Sequence, residues 1–132
     1  MTVFAFYGTF TSEQPGHGNL AGARFVGRLR TAPRYRLFFV DGRWPALVSG
    51  DDGVAMECEL YECSEALLDR LAAIEPAGWS RAPLELEDGR EVEAFLGAPE
   101  LAARGVDVST HGSWAAFVSA GAPRRASGPT PR

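Results

Sequence analysis

Runs and alternations of apolar residues divide the chain into short segments. Residues 2 to 7 (TVFAFY) form an uninterrupted apolar run of strand length and read as a buried first strand. "ARFVGRLRT" and "RYRLFFV" read as two further strands separated by Ala32-Pro33, and "DGRWPALVSGDDG" follows as a turn, a short apolar step and a second turn. The clearest periodicity is in "VAMECELYE", where Val54, Met56, Cys58 and Leu60 face one way and Glu57 and Glu59 the other, which predicts a half-buried strand.

The period then changes. Ser64 supplies an N-cap with Glu65 in the first turn, and "SEALLDRLAAIEP" sets Leu67, Leu68, Leu71 and Ile74 along one helical stripe until Pro76 ends it at or near Glu75. "APLELEDGREVEAFLG" predicts a hairpin about Asp88-Gly89, with strands near 83–87 and 90–96. "PELAARG" and "SWAAFVSAG" predict two short closing helices, the second capped by Ser109 or Thr110. The Pro/Ser/Arg-rich end, "APRRASGPTPR", predicts disorder, which gives a single domain over 1–119 and a disordered tail over 120–132. Many short strands, one main helix and no strand–helix alternation predict an α+β fold, a small mixed β-barrel or roll with short flanking helices.

Composition adds exclusions. A chain of 132 residues has room for one core and no second catalytic module. A net charge of −4 gives no reason to expect nucleic acid or an anionic membrane, so the expected partner is a small-molecule substrate, with monomer and homodimer both open. All 13 basic residues are arginine, which removes every lysine-based mechanism. Without a signal-like start or an apolar run of spanning length, the chain reads as cytoplasmic. Cys58 and Cys63 sit in a strand and its exit with side chains on opposite faces, a poor geometry for a disulfide. His17 and His111 lack partners at metal-ligand spacing, so neither a metal nor another cofactor is expected.

Glu75 is the sharpest anomaly. It follows Leu71 by four residues, on the stripe that must pack inward, and a carboxyl buried there has the raised pKa of a usable general acid/base. If the helix frays first, Glu75 is instead solvated at its end. The loop after Tyr7, "GTFTSEQPGHG", fits neither G-x-x-x-x-G-K-S/T nor G-x-G-x-x-G, so phosphate binding is disfavoured. The N–H groups of Gly8, Thr9 and Phe10 suit a carboxylate or carbonyl oxygen, with the Tyr7 hydroxyl nearby; the alternative is an ordinary chain reversal. There is no G-x-S-x-G elbow and no convincing cysteine–histidine pair. Cys58 reads as packing, and His111, in "STHGSW", as a surface residue ahead of a helix that is nonetheless one of two imidazoles.

"FYGTF", "WPALVSGDDGVAMECELYECSEALLDRLAAIE" and the aromatic–x–Arg of "WSR" form an ordered set over roughly residues 3 to 97 that resembles the gamma-glutamylcyclotransferase-like superfamily. The resemblance implies that the loop backbone at Tyr7, Gly8, Thr9 and Phe10 binds the amino-acid part of a gamma-glutamyl substrate. It also implies that Glu75 moves the proton as the amine attacks the gamma-carbonyl, releasing 5-oxoproline without a cofactor. Trp79 and Arg81 match the aromatic and arginine that follow. "GHGNLAGARFVGRLRTAPRYRLFFV", "LELEDGREVEAFLG" and "DVSTHGSWAAFV" resemble the C-terminal domain of allophanate hydrolase, a branch that works on small carboxylated ureas and commonly lacks the helix-end glutamate. That branch draws attention to His111. Departures from the first pattern are Ala72 where the helix usually carries aspartate, a shorter gap from Glu75 to Trp79 and Arg81, and Cys58 in place of a glycine. An idle ligand-binding or interaction protein is the third reading.

Overall fold

The structure is a computed structural model that describes residues 1–121; the expected tail, from 122 onward, lies outside the described residues. Eight strands and two short α-helices build it: β1 (Thr2–Phe6), β2 (Arg24–Arg30), β3 (Tyr35–Val40), β4 (Trp44–Ser49), β5 (Glu57–Cys63), α1 (Glu65–Ile74), β6 (Trp79–Glu85), β7 (Glu91–Gly97), β8 (Gly105–Asp107) and α2 (Trp114–Ser119). Short 3₁₀ segments lie at His17–Leu20, Pro99–Arg104 and Ser109–His111, so the expected helix in "PELAARG" is a 3₁₀ segment. Among the described residues no helix is long and apolar enough to cross a membrane.

The strands form a five-stranded sheet in the order β2-β5-β1-β7-β6 and a three-stranded sheet in the order β4-β3-β8. β1 runs antiparallel to β5 and parallel to β7. The fold is thus α+β, but it is a roll of two sheets and not a closed barrel. The large sheet curls until its edges touch at a Thr31–Leu86 bridge, with Glu87 N–H to Arg30 carbonyl and Ala32 N–H to Glu85 carbonyl hydrogen bonds, both 2.9 Å, on either side. Pairing stops there because Pro33 turns the chain away after β2.

Strand alternation sorts the core. Ala5, Tyr7, Cys58, Leu60, Leu84 and Ala94 fill the roll with Leu37 and Leu47 of the small sheet and Trp114 and Phe117 of α2. Phe4, Phe6, Tyr61, Cys63 and Phe95 point to the outer face, which Leu67, Leu68 and Leu71 of α1 cover together with Phe10 and Leu20. Cys58 and Cys63 accordingly lie in different clusters, both as buried free thiols.

Three expectations are corrected. Glu59 is 4% exposed, not on a solvated face: β5 is an interior strand and both of its faces are covered. Ile74 is 56% exposed, because the helix ends there and Glu75 is already extended at ψ 139°. The cap of α2 is Ser113, whose hydroxyl accepts from the Ala116 N–H, whereas the Ser109 hydroxyl accepts from the Leu37 N–H of β3.

Candidate functional site

β1 carries Tyr7 to the rim of the roll. Its hydroxyl donates to the Phe95 carbonyl of β7 at 2.6 Å and accepts from the Leu47 N–H of β4 at 3.1 Å, joining the two sheets at the point where the loop departs. Burial pushes this phenol far above its ordinary range, and the charge of Glu75 pushes it in the same direction. Tyr7 is therefore a neutral strut at physiological pH.

The loop then folds back on its own carbonyls. The Gly8 carbonyl accepts from the Thr11 N–H at 3.1 Å and hydroxyl at 2.6 Å, and the Thr9 carbonyl from the Gly16 N–H at 2.9 Å. His17 Nδ1 donates to the Phe10 carbonyl at 2.9 Å. A peptide is planar and trans, so a carbonyl drawn to one side turns the N–H of the same peptide to the other. Holding the Gly8 and Thr9 carbonyls inside the loop thus fixes the orientation of the Gly8–Thr9 and Thr9–Phe10 peptides.

Glu75 lines a cavity together with this loop. The helix ends because the chain turns extended before Pro76, and the Glu75 N–H closes the last turn on the Ala72 carbonyl at 3.3 Å. Its half-buried side chain and the loop line one cavity of about 40 Å³. The structure so brings Tyr7, Gly8, Thr9, Phe10, Glu75 and Trp79 around a single space. Trp79 is fixed by its Nε1–H, which donates to the Pro45 carbonyl at 2.9 Å. Ala5, Phe6, Trp44, Pro45, Pro76 and Phe95 complete the wall, none of them marked in the sequence as a site residue.

Two candidates lie elsewhere. Arg81 is engaged on the outer face of the sheet by Glu65 at 2.9 Å and Glu93 at 2.5 Å, with its guanidinium over the Phe4 ring. His111 is exposed on the last 3₁₀ turn, its ring 5.3 Å from that of Phe117. Gly8 has a packing reason for its identity, since a Cβ there would lie 2.5 Å from Pro45 Cγ.

Sequence reading missed one polar centre. On the other side of the loop a cavity of about 240 Å³ is lined by Ser12, Arg28, Glu57, Glu59 and Trp114, and Tyr7 borders this one as well. Glu59 accepts from the Ser12 N–H at 2.9 Å, the Ser12 hydroxyl at 2.5 Å, Arg28 at 2.7 Å and the Tyr61 hydroxyl at 3.0 Å. Burial alone would raise its pKa, but these donors more than offset that and hold the carboxyl below the ordinary glutamate range. No local signal in the sequence marks it, because alternation along β5 does not tell that the second face is covered.

Comparison with known families decides the affiliation: the model for the allophanate hydrolase C-terminal domain matches residues 2–119. The chain belongs to that family. A uropathogenic E. coli-specific protein of known structure is 28% identical at a TM-score of 0.83, over 89% of this chain and 95% of that one. The allophanate hydrolase of Kluyveromyces lactis shares the fold at a TM-score of 0.84 and 19% identity, over 90% of this chain, which spans 21% of that enzyme. A mouse AIG2-like protein matches at a TM-score of 0.62 and 28% identity, over 76% of this chain and 82% of that one. Among curated proteins none matches the sequence significantly. The family therefore sits within the gamma-glutamylcyclotransferase-like fold.

Proposed function

We propose that this protein is a small cofactor-independent enzyme in which Glu75 moves a proton during an intramolecular attack on a small amide or carbonyl substrate. In its most specific form the substrate is a gamma-glutamyl amine. The loop N–H groups of Thr9 and Phe10 receive the alpha-carboxylate, and Glu75 takes a proton from the alpha-amine as its nitrogen attacks the gamma-carbonyl carbon. Collapse of the adduct breaks the amide C–N bond, Glu75 returns the proton to the departing amine, and 5-oxoproline is left. No water is consumed. The observation that supports this reading is the one cavity lined by both Glu75 and the Tyr7–Phe10 loop.

General acid–base catalysis contributes about 10²–10⁴-fold, so Glu75→Gln should lower the rate of 5-oxoproline release from gamma-glutamyl amines by that factor. Near-full activity in that variant would reduce Glu75 to a structural helix end.

The family match supports a second reading, a decarboxylating or hydrolytic partner of an amidase acting on a small carboxylated urea. His111 separates the two. It lies on the last 3₁₀ turn and does not line the Glu75 cavity, so His111→Ala should leave 5-oxoproline release intact, whereas loss of carbon dioxide release from a carboxylated urea in that variant would favour the amidase partner.

A further inference from the structure

We infer that Glu59 is a positioning residue for the Glu75 cavity, clamping the Tyr7–Gly16 loop from its far side. The inference rests on the reading of that cavity as a substrate site. Ser12 stands two residues beyond Phe10 and is attached to Glu59 at two points, its N–H and its hydroxyl, so that rotation of the loop is fixed as well as its position. Glu59 pairs with Phe6 in the sheet register, one strand away from the residue that leads into the loop. Its carboxylate is buried and is itself held by Tyr61 of its own strand and Arg28 of β2, which also reaches the Ser12 hydroxyl at 3.2 Å. A buried ionised carboxylate with this many directed donors has one favoured orientation, because any rotation leaves a donor or an oxygen unpaired away from water.

The geometry transmits directly. The Gly8 carbonyl is tied by Thr11, the residue preceding Ser12, and the Thr9 and Phe10 carbonyls by Gly16 and His17 just beyond it. Displacing Ser12 loosens these ties from the middle and lets the Thr9 and Phe10 peptides rotate. Glu59 is too firmly held in its ionised form, and on the wrong side of the loop, to exchange a proton in the Glu75 cavity. Its contribution is to orientation.

Glu59→Gln keeps the volume and removes the charge, and it is a tolerable change because the Arg28 side chain is 50% exposed and water can take over its partner's place. Steady-state kinetics on a gamma-glutamyl amine should show KM raised about tenfold, the scale of one lost charge-assisted hydrogen bond, with kcat within about threefold of the parent. Glu75→Gln should do the reverse, lowering kcat. Ser12→Ala, which leaves the Glu59–Arg28 pair in place, should raise KM in the same direction by a smaller factor. Amide hydrogen exchange without ligand supplies a test independent of substrate: Glu59→Gln should speed exchange across residues 8–12 by about tenfold while the β1, β5 and β7 amides keep their protection. Unchanged exchange in the loop, or faster exchange spread evenly over the sheet, would overturn the clamp. If the parent protein turns over no gamma-glutamyl amine but the loop exchange responds locally, the substrate reading falls and the clamp stands.

Discussion

Two carboxylates border the same loop, Glu75 at the small cavity and Glu59 at the larger one. Glu59 lies within the five-stranded sheet with both oxygens accepting from named donors, and its affinity for a proton is lowered. Glu75 stands where a helix has just ended, half-buried, beside a small cavity walled by aromatic and proline side chains, and its charge reaches the Tyr7 hydroxyl. In the proposed reading Glu75 gains and loses a proton, whereas Glu59 holds the loop still with donors that favour its ionised form. Burial alone does not separate these roles, since the more buried of the two is the one read as an anchor.

The largest effect that would sharpen this contrast is on rate. The Glu75→Gln variant is expected to lose about 10²–10⁴-fold in turnover while keeping its melting temperature within a few degrees, because its side chain is half-exposed. A melting temperature that collapses with the rate would make the two carboxylates alike and break the comparison. Next is stability. Glu59→Ala should cost about 2–3 kcal/mol in urea unfolding, for it strands the Ser12 and Tyr61 donors, and the exposure of Arg28 keeps the cost below that of a fully buried pair. Glu75→Ala should cost less than about 1 kcal/mol on the same measurement.

Acid titration follows in size. The carboxyls of Glu59 and Glu65 both lie below the ordinary range, Glu59 through the donors that outweigh its burial and Glu65, at about 2, through hydrogen bonds from Arg81 and Thr2. Folded values lower than unfolded ones mean stability that is present in full above the ordinary glutamate pKa and is lost as pH falls from there through the folded values. The unfolding midpoint should therefore decline between roughly pH 4.5 and 2, and Glu59→Gln should flatten the part of that decline that Glu59 supplies. A midpoint insensitive to acid in the parent protein would contradict the lowered values. The smallest effect concerns Cys58, which borders the Glu59 side of the loop. Burial, reinforced by the charges of Glu57, Glu59 and Glu87, pushes its thiol up to about 12, so alkylation of the folded protein at pH 8 should be much slower than after unfolding.

Much of the frame was legible in the sequence because its signals are local. An apolar run, a serine cap followed by leucines at helical spacing, and an Asp-Gly turn each carry their meaning within a few residues, and β1, α1 and the β6–β7 hairpin form where those signals lie. The gathering of Tyr7, the loop and Glu75 around one cavity was legible only through the family pattern, since helical periodicity places Ile74 inward and the structure leaves it exposed. Glu59 was not legible at all. Alternation in "VAMECELYE" distinguishes two faces but not whether the second is covered, and that depends on Arg28 and Ser12 arriving from elsewhere in the chain. Arg81 stands two residues after Trp79 in β6, on the same side of the strand, yet Glu65 and Glu93 hold its guanidinium over Phe4, and it does not line the cavity that Trp79 borders.

The position of β1 between β5 and β7 has a consequence in time. β1 leaves the ribosome before either of its neighbours, and finds its antiparallel partner only after residue 63 and its parallel partner only after residue 97 has been made. Pairings so distant along the chain are slow to form, and until they do a run of apolar residues waits without a partner. The loop that follows β1 takes its shape from the same late event, so a segment synthesised before the strands it depends on should be among the last to acquire its native geometry.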